Sequence, residues 1–208
     1  MIIKVCGMRD ADNIRAVEAL GIDCMGFIFW PKSARYVGSK PAYLPQNCLR
    51  AGVFVDAAPE DIAAAAESFG LDVIQLHGSE SPGQIVQIRE LTAARKLRFV
   101  KSISIMSAED LGVTADYESV CDAFLFDTKG KLPGGNGQQF DWSVLDGYNG
   151  SLPFLLSGGI SPDDAERIKA FKAPKCIGID LNSRFETAPG LKNVPALKSF
   201  IEIIRNNE

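Results

Sequence analysis

Side chains able to act as acid, base or anion binder recur where short apolar runs of this chain end. Cys6-Gly7 closes a run at 2–6, and Lys32-Ser33-Ala34-Arg35 follows one at 24–29. His77-Gly78 comes after Gln75-Leu76, and Asp127-Thr128 closes a run at 123–127. Ser157-Gly158-Gly159 and Asp180-Leu181-Asn182-Ser183 end two later runs. A thiol in such a place can serve as base or nucleophile once it is a thiolate. Period-2 alternation puts Lys4 on the same strand face as Cys6, so an ammonium should lie beneath the thiol. The expectation is a Cys6 pKa below the free value of about 8.5. The same alternation puts Asp127 on one face with Ala123 and Leu125. The glycine pair Gly158-Gly159 lets backbone N–H groups approach an anion closely, which is how a phosphate is cradled. Gly134-Gly135-Asn136-Gly137 lies in a Gly/Pro-rich stretch that could close over such a ligand.

These residues need a frame that brings strand ends together. Apolar runs fall at 2–6, 24–29, 51–55, 72–76, 98–103, 123–127, 153–157 and 176–180, giving eight strand candidates. Between most of them lie amphipathic stretches with helix punctuation. Examples are Pro59 opening and Gly70 closing one stretch, Ser81-Pro82 opening another, and Ser161-Pro162 a third. A weaker helix follows Ser107, and the segment 30–47, with Pro31, Pro41 and Pro45, reads as irregular with room for a short helix. Continuous apolar strands alternating with helices imply a parallel sheet covered on both faces. Eight such units in 208 residues, without a linker, predict an α/β protein forming a single-domain (β/α)₈ TIM barrel over 1–208. A doubly wound open sheet is the alternative. In a barrel, the strand C-termini form the active face.

Composition narrows the function. The net charge is −4, which gives no nucleic-acid surface. No run approaches the ~20 apolar residues of a membrane span, and residues 1–7 are too short for a signal peptide, so a cytoplasmic protein is expected. Five cysteines without C-x-x-C spacing and one histidine make a metal site improbable and suggest reduced thiols. Cys24, Cys121 and Cys176 read as core residues.

The strings Lys4-Val5-Cys6-Gly7-Met8, Pro31-Lys32-Ser33-Ala34-Arg35-Tyr36-Val37, Gln75-Leu76-His77-Gly78, Phe126-Asp127-Thr128, Gly134-Gly135-Asn136-Gly137, Leu156-Ser157-Gly158-Gly159 and Gly178-Ile179-Asp180-Leu181-Asn182-Ser183 occur in this order. With Phe185-Glu186, they resemble the phosphoribosylanthranilate isomerases of tryptophan biosynthesis. The resemblance implies a cofactor-free Amadori rearrangement of a small phosphorylated substrate, with no obligate protein partner. It implies Asp127 as general acid and Cys6 as general base, on strands expected to lie across the barrel from one another rather than adjacent. Arg35 would hold the anthranilate carboxylate, and His77 would touch substrate near the mouth. Gly135, Gly158, Gly159, Asn182 and Ser183 would surround the phosphate. Asp180 would sit beside them, orienting a hydroxyl or a loop, since a bare carboxylate repels phosphate. One departure is Arg184, where the family usually has glycine; it would strain the loop if that position needs positive φ.

Two rival functions fit parts of the pattern. A histidine-pathway isomerase performs the same rearrangement with paired aspartates, and Cys6 disfavours it. A non-catalytic barrel binding a phosphorylated metabolite would need neither Cys6 nor Asp127.

Overall fold

The computed structural model describes residues 1–128 and 140–206. Eight strands close into a barrel in chain order, every neighbouring pair parallel. They are β1 (Ile2–Val5), β2 (Cys24–Ile28), β3 (Leu49–Phe54), β4 (Val73–Leu76), β5 (Arg98–Ile105), β6 (Ala123–Thr128), β7 (Phe154–Leu156) and β8 (Cys176–Leu181). The open sheet is thereby excluded. β6 stands three places round from β1, through β8 and β7, so the two are neither adjacent nor opposite.

Alternation along the strands sorts side chains into two cores. Ile2, Cys24, Ala51, Val73, Val100, Ala123, Leu125 and Leu155 pack together inside the barrel. The bulkier residues, among them Phe27, Phe54, Phe124 and Phe154, face outward against the helices in a second cluster. One step toward the strand C-termini, the inward face turns polar: Lys4, Gln75, Ser102, Asp127 and Asp180 are all buried there. An apolar floor therefore supports a polar mouth, as the position of active sites in this fold requires.

The helical layer follows the punctuation unevenly. Helix α1 (Ala11–Glu18) is capped by Asp10, whose side chain accepts from the Asn13 N–H. Helix α2 (Pro59–Phe69) ends at Gly70 in the left-handed conformation. Helix α3 (Pro82–Leu91) carries a full Ser81/Gln84 capping box. Helices α4 (Ala165–Ala170) and α5 (Val194–Arg205) complete the set. The stretch after Ser107 is a 3₁₀ segment, Ala108–Asp116, rather than an α-helix. Gly112, Val113 and Thr114 are poor helix formers, and the tighter turn tolerates them in a short piece. Residues 30–47 contain no helix; Glu18 anchors them by accepting from Tyr43 Oη at 2.5 Å and from the Gln46 and Asn47 N–H groups at 2.5 and 2.6 Å. A hairpin the periodicity did not announce, β9 (Glu186–Ala188) with β10 (Leu191–Lys192), follows β8. Cys24 and Cys121 are core residues, whereas Cys176 is only half-buried, because it sits at the barrel's lower rim at the start of β8. Among the described residues no helix is long and apolar enough to cross a membrane.

Candidate active site

Cys6 leaves the end of β1, its backbone N–H donating to the Leu181 carbonyl at 2.9 Å, and its side chain is 3 % exposed. Lys4 lies beneath it on the same face, but its ammonium is engaged elsewhere: Nζ donates to Asp180 Oδ1 at 2.8 Å. Burial works against the Lys4 charge, but Asp180, together with Cys6 and Cys24, more than offsets this and holds its pKa above the ordinary lysine value. The Cys6 thiol is pushed up by burial; Lys4 and Lys192 pull it down without overcoming that cost, and Asp180 adds to it. Burial thus outweighs the cation expected to favour a thiolate, because that cation is shared with a buried carboxylate. Asp180 reaches across to β1. It is the ion-pair partner of Lys4 inside the barrel, 176 positions away in sequence.

Arg35 reaches the mouth from the segment after β2. Tyr36 bridges to Ile28 and fixes where that segment leaves the barrel. Arg35 Nε and Nη2 grip Glu186 in a fork at 2.7–3.0 Å, leaving Nη1 without a partner among the described residues. Glu186 also accepts from Lys192 Nζ at 2.6 Å, and Lys192 donates to Asn182 Oδ1 at 2.8 Å. Burial penalises the Glu186 carboxylate, but Arg35 and Lys192 hold it below the usual range. Burial pulls the Lys192 ammonium down, with Glu186 opposing. This cluster closes directly over Gly7. With φ at 80°, a side chain there would be strained, and its Cβ would stand 2.7 Å from Arg35 Cδ and 2.9 Å from Asn182 Oδ1.

On the other side, Asp127 is 7 % exposed, with a donor on one oxygen and the His77 ring beside the other. The Thr128 N–H bonds Oδ1 at 2.8 Å, and His77 Nε2 lies 3.3 Å from Oδ2. Gln75 Nε2 approaches His77 Nδ1 at 3.2 Å and donates to Ser102 Oγ at 3.1 Å. The turn after His77 is fixed by a buried pair: Lys101 Nζ donates to Glu80 Oε2 at 2.9 Å and to the Gly78 carbonyl at 2.6 Å. After β7, Gly158 and Gly159 have φ of 91° and 67°. A Cβ on Gly158 would stand 2.2 Å from Thr128 Oγ1 and 3.1 Å from Asp127 Oδ1, so this turn packs against the acid itself. The Thr128 hydroxyl is buried without a partner among the described residues.

A mouth with a thiol, a carboxyl group and left-handed glycines on separate strand ends can be compared with known proteins. The family model of N-(5′-phosphoribosyl)anthranilate isomerase matches residues 3–203. The chain belongs to this family. It is 51 % identical over 205 residues to the N-(5′-phosphoribosyl)anthranilate isomerase of Phocaeicola vulgatus, covering 99 % of this chain and 98 % of the relative. The solved structure of phosphoribosyl anthranilate isomerase from Thermus thermophilus superposes with a TM-score of 0.81 at 25 % identity, covering both chains in full. A further isomerase of the family was solved in complex with reduced 1-(o-carboxyphenylamino)-1-deoxyribulose 5-phosphate; it has a TM-score of 0.77 and 26 % identity over 99 % of this chain and 100 % of that one.

Within the phosphoribosylanthranilate isomerase framework, the departure at Arg184 has a structural resolution. Ser183–Phe185 forms a 3₁₀ turn, Arg184 is exposed, and the one described non-glycine residue with positive φ is Asp56, so Arg184 carries no backbone strain. Asn182 and Ser183 are half-buried beside it. Gly135 lies outside the described residues. The residues missed by sequence reasoning are Gln75 as a partner of His77, Ser102, Lys192, and Glu186 as the anchor of Arg35. A polar residue at an inward parity position of an apolar strand was the available signal for the first two.

Proposed function

We propose that the barrel mouth converts N-(5′-phosphoribosyl)anthranilate to 1-(2-carboxyphenylamino)-1-deoxyribulose 5-phosphate by general acid–base catalysis, in L-tryptophan biosynthesis. The observation that carries the reading is the pairing of a buried carboxyl group ringed by donors with a buried thiol on a non-adjacent strand. Such a pair can address opposite sides of one small sugar.

Asp127 gives its proton to the ribose ring oxygen as the C1′–O bond breaks, and the anthranilate nitrogen lone pair forms the C=N bond of an iminium. Cys6, as thiolate, removes the C2′ proton; that electron pair becomes the C1′=C2′ bond and neutralises the iminium. The enolamine then gains a proton at C1′ and loses one from its C2′ hydroxyl, giving the ketone. An iminium formed beside Cys6 favours the thiolate that burial opposes.

Arg35, already forked onto Glu186, offers Nη1 to the anthranilate carboxylate. Gly158, Gly159, Asn182 and Ser183, with Gly135, would receive the phosphate through backbone N–H groups. A cytoplasmic setting, where thiols stay reduced, suits a thiol base. The whole chain, 1–208, then serves as one catalytic barrel.

The test is the decay of anthranilate-type fluorescence when the purified protein meets freshly generated phosphoribosylanthranilate. Wild type decays fast, and Cys6→Ala and Asp127→Asn each lose roughly 10²–10⁴-fold. A wild-type protein no faster than buffer rejects the reading.

A further inference from the structure

We infer that Gln75 is a positioning residue that fixes His77 as the tautomer with its hydrogen on Nε2, aimed at Asp127. The inference rests on the reading of Asp127 as general acid.

Hydrogen-bond directions along the chain of contacts agree with one another. Asp127 Oδ1 already accepts from the Thr128 N–H, and Oδ2 faces His77 Nε2 at 3.3 Å. An amide nitrogen donates only, so the Gln75 contact at Nδ1 makes that ring nitrogen the acceptor and calls for a hydrogen on Nε2. A neutral ring then has a bare lone pair at Nδ1, and in the barrel interior that lone pair needs a donor. The Gln75 amide nitrogen stands 3.2 Å away and has two hydrogens, one for Nδ1 and one for Ser102 Oγ at 3.1 Å. Gln75 and Ser102 are 2 % and 7 % exposed, and the amide's two hydrogens go to these protein acceptors.

Packing alone does not hold the ring. His77 borders a cavity of about 390 Å³, also lined by Gly78, Ser102, Ser104 and Tyr117, so one side of the imidazole faces open space. Its orientation is set by the bonds at its two nitrogens. The consequence for catalysis lies in what Asp127 becomes. As its proton leaves for the ring oxygen, charge develops on the carboxylate, where the Thr128 N–H already bonds Oδ1 and His77 Nε2 stands 3.3 Å from Oδ2. Donors preorganised toward developing charge are the strongest aid a site can offer. His77 in this tautomer is a donor to the acid rather than a proton source.

The chain has one histidine, so imidazole ¹⁵N NMR reports on His77 alone. The expected wild-type spectrum is a neutral ring protonated at Nε2. Gln75→Leu removes the Nδ1 donor and should mix the tautomers. Its kcat should fall about fivefold to tenfold with KM unchanged within about twofold, as expected for one hydrogen bond expressed in the transition state. Gln75→Glu replaces the donor by an acceptor and should drive hydrogen onto Nδ1. A wild-type ring protonated at Nδ1 overturns the inference, even if neither variant folds. So does a folded Gln75→Leu protein with the wild-type spectrum and kcat. Full activity in Asp127→Asn would instead overturn the acid assignment, leaving the tautomer to be decided by the wild-type spectrum.

Discussion

Cys6 stands among Lys4, Asp180, Lys192, Glu186 and Arg35, whereas Asp127 stands among neutral donors, the Thr128 N–H and the His77–Gln75–Ser102 relay. On the base side paired charges surround the reacting group itself, whereas on the acid side the buried pair Lys101–Glu80 fixes the turn after His77 and hydrogen bonds hold Asp127. A buried thiol that must become an anion needs cations nearby, and buried cations in turn need carboxylates. A carboxyl group that gives up a proton needs donors fixed in place and no further charge. In the proposed reaction the two groups change charge in opposite senses: the base enters as an anion and ends neutral, and the acid gives up its proton and ends as an anion.

Breaking the base side should cost most. Lys4→Met leaves Asp180 buried without its cation, and the expected loss is about 3–5 kcal/mol in urea unfolding. Pairing it with Asp180→Leu should restore much of that. Ser102→Ala, on the neutral side, should cost only about 1 kcal/mol. Equal losses on the two sides would erase the distinction.

Arg35→Lys tests the fork. A lysine cannot hold Glu186 with two bonds while presenting a further N–H to a planar carboxylate. KM should rise about tenfold, the loss of a charged hydrogen bond, with kcat changed less. A larger fall in kcat than rise in KM would move Arg35 from binding into chemistry.

The smallest effect concerns the resting thiol. Its pKa is raised, so the neutral form dominates at and somewhat above neutral pH, and the thiolate fraction rises about tenfold per pH unit. Alkylation of Cys6, followed by peptide mapping, should keep accelerating past the ordinary thiol value of about 8.5. Lys4→Met should push the rise to still higher pH. A plateau below pH 8 would mean that the paired charges already produce a resting thiolate.

The barrel was readable because each strand is a short continuous apolar run and most helices are marked by caps, as at Asp10, Pro59, Gly70 and Ser81. Cys6 and Asp127 were readable as candidates because polar residues at the ends of such runs are conspicuous. Lys4–Asp180 was not, since parity gives the face of a side chain but not its partner 176 positions away. Likewise, nothing local to Glu186 or Lys192 points to Arg35; strands of three and two residues have no measurable period, and the hairpin they form exists only once β8 returns beside β1. Gln75 and Ser102 were hidden by apolar neighbours, and their contact requires β4 and β5 to be paired. The depressed thiol pKa expected for Cys6 failed for the same reason, because Lys4 alone suggests a thiolate and Lys4 with Asp180 does not.

The most direct test of a two-sided mechanism is the isotope effect on substrate deuterated at C2′, measured in single turnovers of Cys6→Ser and Asp127→Asn. A serine base is weaker, so C2′–H cleavage should limit the first variant and give a large primary effect. Ring opening should limit the second and give almost none. The same effect in both variants would contradict the assignment of base to Cys6 and acid to Asp127.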